Sequence, residues 1–525
     1  MADPYARSVS GPFRFEELEA DYAALRDAFG ALLVDRHRGA AVAAAEQDYA
    51  VRRAHFAEQL TGARATATDR PALAAIESTL AWMDEWQAVA GAADVATGGP
   101  EPPEAARLRR NTMEAFGAAS EAVRVGAETI DRLTALARLA TDPDPLRRRA
   151  IFEAMAPIWR AVDGGDDAGA SPYRELLRSS AARWARDGSP AEAAATALGK
   201  EPGTLEPTLR AMLEAWRGVV GPGLVEPWDY RFAIGALERR LGWLLPRDRL
   251  RAINDAHLRG LGADPAVLGI RYDVEPRGGR PAIPVAFTFG ANVARRTADG
   301  AWRPSAPWVF ATYEEGGLGN LEELLHESGH ALHYAAIRTR PAFFEPPIEA
   351  GGFVEGVADL VGWDVHEPAF QARHLGQRGG LRESRLARYG GVMLDVCWAL
   401  FEIELHRDPE RCPNETWGEL TETGLGIVAH PEWSWWAMRG QLVEAPGYMT
   451  NYALSAIVAA ALRARIGAVR GDWLRDGGDP GWYEFVSSEL LRFGAERPAG
   501  DVLAGFLGRP LTVEPLLDDL ATARR

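Results

Sequence analysis

The stretch His326-Glu327-Ser328-Gly329-His330-Ala331-Leu332-His333 lies in a segment whose apolar residues recur every three or four positions. Leu321, Leu324, Leu325, Leu332 and Ala335 form one stripe. At about 100° per residue, His326, His330 and His333 fall together on the opposite side. Asn320, followed three residues later by Glu323, has the pattern of a capping box, so a helix is expected over 320–336. His326 and His330 are one turn apart, so two imidazoles can reach one tetrahedral Zn²⁺ at about 2.0–2.1 Å. Glu327 is offset around the helix. It is placed to touch a metal-bound water without being a ligand itself.

His333 lies on the same face but about 10 Å along the axis from His326, too far to share one ion. It is read as a supporting or packing residue. A third ligand is expected from Phe353-Val354-Glu355-Gly356-Val357-Ala358-Asp359. Phe353, Val357, Leu360 and Val361 give that segment one apolar helical face, predicting a helix over 353–365 that presents Glu355. Asp359, one turn later, can accept the free N–H of a metal-bound imidazole and orient it. Glu345 and Glu349 compete for the ligand role from in or beside a Pro-rich stretch, 341–347. Two histidines, one glutamate and a water make an open, catalytic site; four protein ligands would make a closed, structural one.

Working outward, 283–289 and 308–313 read as strands of a small sheet beside this helix, with a hairpin-type turn at Asp299-Gly300. Residues 1–240 read as almost wholly helical, with segments at 15–34, 44–60, 72–90 and 104–137. They are broken at Gly98-Gly99-Pro100-Glu101-Pro102-Pro103 and at Asp163-Gly164-Gly165-Asp166-Asp167. The chain therefore divides into a helical region, 1–240, forming a wall, and a metal-binding region, 241–525. Its 525 residues suffice for two or three lobes. A net charge of −16 opposes nucleic acid or an anionic membrane as a partner, and is read as a solvated surface. No run of about eighteen apolar residues points to a membrane span. Met1-Ala2-Asp3-Pro4 has neither the basic start nor the apolar stretch of a secretory signal, so a cytoplasmic location is expected. Cys397 and Cys412 cannot form a disulfide framework.

The pattern from His326 to His333 resembles the H-E-x-G-H-x-x-H signature of the M3 metallopeptidases, which include the thimet oligopeptidases and oligoendopeptidase F. The Phe-Val-Glu stretch ending at Glu355 is similar to the third-ligand segment of that family, as is the gap of 24 residues separating it from His330. Residues 308–313 and Tyr272-Asp273-Val274 are similar too, and the resemblance spans roughly residues 266–465. Pro446-Gly447-Tyr448-Met449-Thr450-Asn451-Tyr452-Ala453 resembles the tyrosine-rich segment (446–455 here) that those enzymes place across the cleft from zinc. The resemblance implies that Tyr448 and Tyr452 donate hydrogen bonds to substrate and oxyanion. The family's upstream histidine is missing: Gln441-Leu442-Val443-Glu444 stands there, and Thr450 or Ser455 replaces a further tyrosine. His430 is the nearest upstream histidine and a candidate substrate contact.

By resemblance, the fold is a mainly α, elongated, two-lobed oligopeptidase-like fold enclosing a deep channel. Trp433, Trp435 and Trp436 are read as packing in its wall. One Zn²⁺ per chain, held by His326, His330 and Glu355, would serve hydrolysis of short or unfolded peptides, with Glu327 as general base. Two alternatives stand beside this: a processing peptidase dedicated to one precursor or leader peptide, and a non-catalytic zinc protein that binds peptides. The sequence carries no indication of oligomeric state.

Overall fold

The computed structural model describes residues 15–66, 76, 79, 80, 103–164, 171–278, 283, 285–297, 299–339, 350–475 and 477–524. Helices dominate, and the strands are short. The chain is mainly α, as expected. The elements that matter below are α1 (Phe15–His37), α2 (Ala43–Thr66), β1 (Val123–Val125), β2 (Glu128–Ile130), α3 (Pro227–Ile234), α4 (Arg247–Gly260), β3 (Arg271–Asp273), β4 (Phe287–Gly290), β5 (Pro307–Phe310), α5 (Leu318–Ala336), α6 (Gly351–Gly362), α7 (Leu381–Arg407) and α8 (Met449–Arg470).

Apolar burial divides the described residues into two cores. The smaller joins α1 and α2 through Tyr22, Leu25, Phe29, Tyr49 and Phe56, and includes Val293, Ala294 and Ile337. The larger runs from Phe116 to Ala523. At its centre α8 packs against α6 and α7. By length and composition α8 could cross a membrane, contrary to the expectation that no such run exists, but two-thirds (67%) of its most apolar stretch is buried inside the protein. A helix apolar on every face suits the middle of a large core as well as a bilayer.

Two sequence expectations shift here. The segment 104–137 is not one helix. A helix over Pro103–Glu121 gives way to the hairpin β1–β2, in which Val123 pairs with Ile130, before a second helix begins at Arg132. β-Branched residues flank a turn where Gly126 takes φ +63°, a conformation that favours glycine. Asp131 then caps the next helix by accepting from the Thr134 N–H at 2.8 Å. The sheet beside α5 is also shorter than expected. Its order is β3–β5–β4, with β5 parallel to β3 and antiparallel to β4. Strand pairing starts only at Phe287; the Ile283 N–H donates to Thr312 Oγ1 instead of a ladder carbonyl. Pro284 lies outside the described residues. The hairpin at Asp299-Gly300 forms as read, joining Arg295–Arg296 to Trp302–Arg303.

The start of α5 differs as well. It begins at Leu318, and the Asn320 side chain does not cap it but donates to the carbonyls of Glu315 and Gly316, 3.1 Å each. The cap is remote in sequence: Glu238 Oε2 accepts from the Leu318 and Gly319 N–H groups at 2.9 and 3.1 Å. A carboxylate at a helix N-terminus satisfies donors that have no partner within the helix. The expected 353–365 helix is α6 followed by a 3-10 turn over Trp363–His366.

Candidate metal centre

α5 carries the two histidines, and α6 crosses it at close range because glycines line the contact. A Cβ on Gly329 would stand 2.5 Å from the Ala358 carbonyl oxygen, and one on Gly362 would stand 3.3 Å from His326 Cβ. This approach brings Glu355 to the histidines. Its Oε2 lies 3.3 Å from His326 Nε2 and 3.9 Å from His330 Nε2. The rings meet edge to face, with centroids 4.8 Å apart. Asp359 Oδ1 takes the other nitrogen of His326, Nδ1, at 2.8 Å. That bond orients the ring so that Nε2 faces Glu355, and in the neutral imidazole Nε2 is the nitrogen that could bind a metal. Ligand atoms of His326, Glu327 and His330 also lie within 4.8 Å of one another. Three donors of His and carboxylate type thus converge, with one imidazole already oriented from behind, and the set fits a divalent ion such as zinc.

The electrostatics divide the two glutamates. Burial raises Glu355, but the His326 hydrogen bond and the charges of His330 and His326 overcome it and hold the carboxyl at about 2. Burial raises Glu327 to about 7, against the opposing pull of His326 and Thr288. Burial lowers His330 to about 4, and the charge on His326 adds to that. The strand edge β4 supports Glu327 directly: Thr288 Oγ1 lies 2.7 Å from Glu327 Oε2 and 2.9 Å from the Glu327 carbonyl oxygen. Behind α5, Ser328 Oγ lies 2.8 Å from the Leu324 carbonyl, 2.9 Å from Asn254 Oδ1 and 3.0 Å from Tyr272 Oη, tying α5 to α4 and β3.

The tyrosine segment also arrives. Tyr448 Oη donates to Glu355 Oε1 at 3.3 Å. Tyr452 stacks edge to face on Tyr448, 5.4 Å between ring centroids. Burial and the negative charge of Glu355 raise both phenols, so they stay protonated donors. His333 is buried, packs edge to face on Phe353 and is held neutral by burial, at about 3. His430 sits elsewhere: it bonds Glu226 and Glu432 at 2.9 and 2.8 Å and stacks on Trp433. Trp435 and Trp436 are buried in the core and Trp433 packs against it. Glu345 and Glu349 lie outside the described residues.

Two residues escaped the sequence reading. Thr288 sits in an ordinary strand pattern, and only the sheet register aims it at Glu327. Glu402 left a visible signal, a lone acid in the apolar run Trp398-Ala399-Leu400-Phe401-Glu402-Ile403. It is fully buried and accepts from the Gly447 and Met449 N–H groups at 2.6 and 3.2 Å. Those bonds bracket Tyr448 and fix the turn from which its side chain reaches Glu355.

No family model and no curated protein matches the sequence. Solved structures do match, over nearly the whole length. An M32 carboxypeptidase from Deinococcus radiodurans R1 is 15% identical with a TM-score of 0.57, covering 97% of this chain and 98% of that one. A Pyrococcus furiosus carboxypeptidase is 13% identical with a TM-score of 0.58, covering 98% and 100%. A structure described as oligoendopeptidase F is 15% identical with a TM-score of 0.56, covering 100% and 98%. The match extends equally to M32 carboxypeptidases, so it does not single out the M3 family. What it shows is that the chain has the helical fold shared by these metallopeptidase structures.

Proposed function

We propose that the protein is a zinc-dependent peptidase acting on short or unfolded peptides. The observation that carries this reading is the convergence of His326, His330 and Glu355, with Glu327 beside them and Asp359 orienting His326. The shared metallopeptidase fold supports it. A zinc ion bound by His326, His330 and Glu355 would polarise the scissile carbonyl and lower the pKa of the attacking water toward about 7.

The remaining steps belong to the chain. Thr288 restrains Glu327 through Oε2, which leaves Oε1 to take a proton from the attacking water. Glu327 then returns that proton to the leaving amine. Tyr448 and Tyr452 supply hydroxyl donors for the developing oxyanion, with Tyr448 giving up its present bond to Glu355. β4 lies at the edge of its sheet, next to Glu327. An extended peptide can add to such an edge through main-chain hydrogen bonds.

The test is mass spectrometry of a mixed peptide pool incubated with zinc-loaded protein, in parallel with Glu327→Gln. Cleavage by the parent and none by the variant is expected. A pool left intact by both proteins would refute hydrolysis, and binding of the same peptides would then favour the non-catalytic alternative.

A further inference from the structure

Arg439 stands against Tyr452, and Arg231 and Arg132 lie within its electrostatic reach. Arg439 pairs with Asp395 of α7. Its guanidinium also lies over the rings of Trp398 and Tyr452, 4.9 and 5.7 Å from their centroids. Arg231 projects from α3, which packs on α7 and on the helix that begins at Arg132. Arg132 lies over Phe116 at 5.8 Å. The side chains of Arg231 and Arg132 make no hydrogen bond or ion pair among the described residues. Asp131, within electrostatic reach of Arg132, is engaged in capping: its two oxygens accept from Thr134 N and Oγ1.

Elsewhere this protein pairs its buried guanidinium groups. Arg148 has Asp229, Arg388 has Glu367 and Asp519, and Arg463 has Asp364 and Glu367. Enclosing a cation without a bonded partner is costly, and the mutual repulsion of Arg132, Arg231 and Arg439 adds to it; Asp395, bonded to Arg439, also acts on Arg231 and offsets part of that charge. Burial and the charge on Arg439 lower both Arg132 and Arg231 to about 10, which still leaves them cationic at neutral pH. Both are enclosed by protein yet keep some water-accessible surface. The same combination marks His326, His330 and Glu355, whose side chains keep 21, 13 and 18% exposure.

The contacts from Glu355 to Tyr448, Tyr452 and Arg439 connect the cluster to the metal centre. We infer that Arg231, Arg132 and Arg439 form a subsite that holds a carboxylate of the peptide while the neighbouring metal centre acts on it. That carboxylate is either the free C-terminus or the side chain of Asp or Glu; both offer the planar, two-oxygen group that a guanidinium fork matches. The inference rests on the peptidase reading and adds a substrate class to it. It also sets a local preference for anionic peptides against the overall charge of −16.

The test uses the full-length zinc-loaded protein and two peptide pairs. One pair is a flexible decapeptide as the free acid and as the C-terminal amide. The other is the amidated peptide with one internal Glu or Gln. The readout is the ratio of kcat/KM within each pair. A ratio of roughly tenfold or more is expected in one pair, as befits a charge-assisted hydrogen bond. Preference within the first pair identifies the terminus, and within the second an acidic side chain. Arg231→Gln and Arg132→Gln should each pull that ratio toward one, whereas Arg231→Lys should retain part of it. Ratios near one in the parent, or unchanged in correctly folded Arg231→Gln and Arg132→Gln, would overturn the subsite. Binding of the same peptides to zinc-loaded Glu327→Gln separates the two ideas. A carboxylate preference in binding without turnover by the parent sinks hydrolysis and keeps the subsite. Turnover without preference does the reverse.

Discussion

The histidine side of the site comes from α5 and α6, helices close together in the sequence. The opposite side gathers Tyr448 and Tyr452 from the start of α8, Arg439 from the preceding segment, Glu402 and Asp395 from α7, and Arg231 from α3. On the first side, position follows from helical periodicity: His326 and His330 are one turn apart, and so are Glu355 and Asp359. On the second, position is set by long-range contacts, such as the bonds of Glu402 to the main chain around Tyr448. A site can therefore have one half whose geometry follows from local spacing and another that is assembled by long-range contacts.

The comparison breaks most visibly at Glu327. Glu327→Gln should retain zinc by elemental analysis and lose at least about 10³-fold in kcat, the scale of a general base. A variant that cleaves peptides at the parental rate would remove Glu327 from that role. Next comes the metal itself. Glu355→Ala should strip or strongly weaken zinc, and Asp359→Asn should weaken it by roughly 10–100-fold. Undiminished zinc in Glu355→Ala would move the third ligand to Glu345 or Glu349.

On the opposite side, Tyr448→Phe should lower kcat by roughly 10²-fold with metal content intact, the scale of one lost oxyanion donor. An effect confined to KM would instead make Tyr448 a binding group. A smaller effect tests the packing that joins α5 to α6. Gly329→Ala should cost about 1–3 kcal/mol, read from denaturant unfolding, because its Cβ would meet the backbone of Ala358.

The last effect is a pH dependence. Burial raises Glu402 from 4.5 to about 8, against the two backbone N–H bonds. Between those values the folded protein holds a proton that the unfolded chain releases. Stability contributed by this group should therefore fall as pH rises through that window, by at most about 1.4 kcal/mol per pH unit. Comparing unfolding free energies at pH 5.5 and 8 for the parent and Glu402→Gln should show a flatter dependence in the variant. An identical slope in both would show that Glu402 does not titrate in this window.

How far the sequence could be read follows the same divide. The body of α5 and the one-turn spacings of His326 with His330 and of Glu355 with Asp359 were legible, because each depends on a repeat of 3.6 residues; the contact between the two helices rests on their crossing. The cap of α5 was misread: Asn320 had the right local pattern, but Glu238, 80 residues away, reaches the same N–H groups. The hairpin β1–β2 was missed because its strands of three residues are too short to interrupt a helical reading. Thr288 was invisible because nothing local fixes which residue of a strand faces a helix packed on its sheet.

The sequence by itself determined a helical chain, the metal-binding type of side chains on α5 and α6, and their spacing, since all are encoded within a few turns of backbone. Only the tertiary structure decided which atoms meet there: Thr288 Oγ1 with Glu327, Tyr448 Oη with Glu355, and Arg439 over Tyr452. The physical reason is that these partners meet through packing across tens to hundreds of residues of sequence, where register and crossing geometry, not periodicity, choose the neighbours.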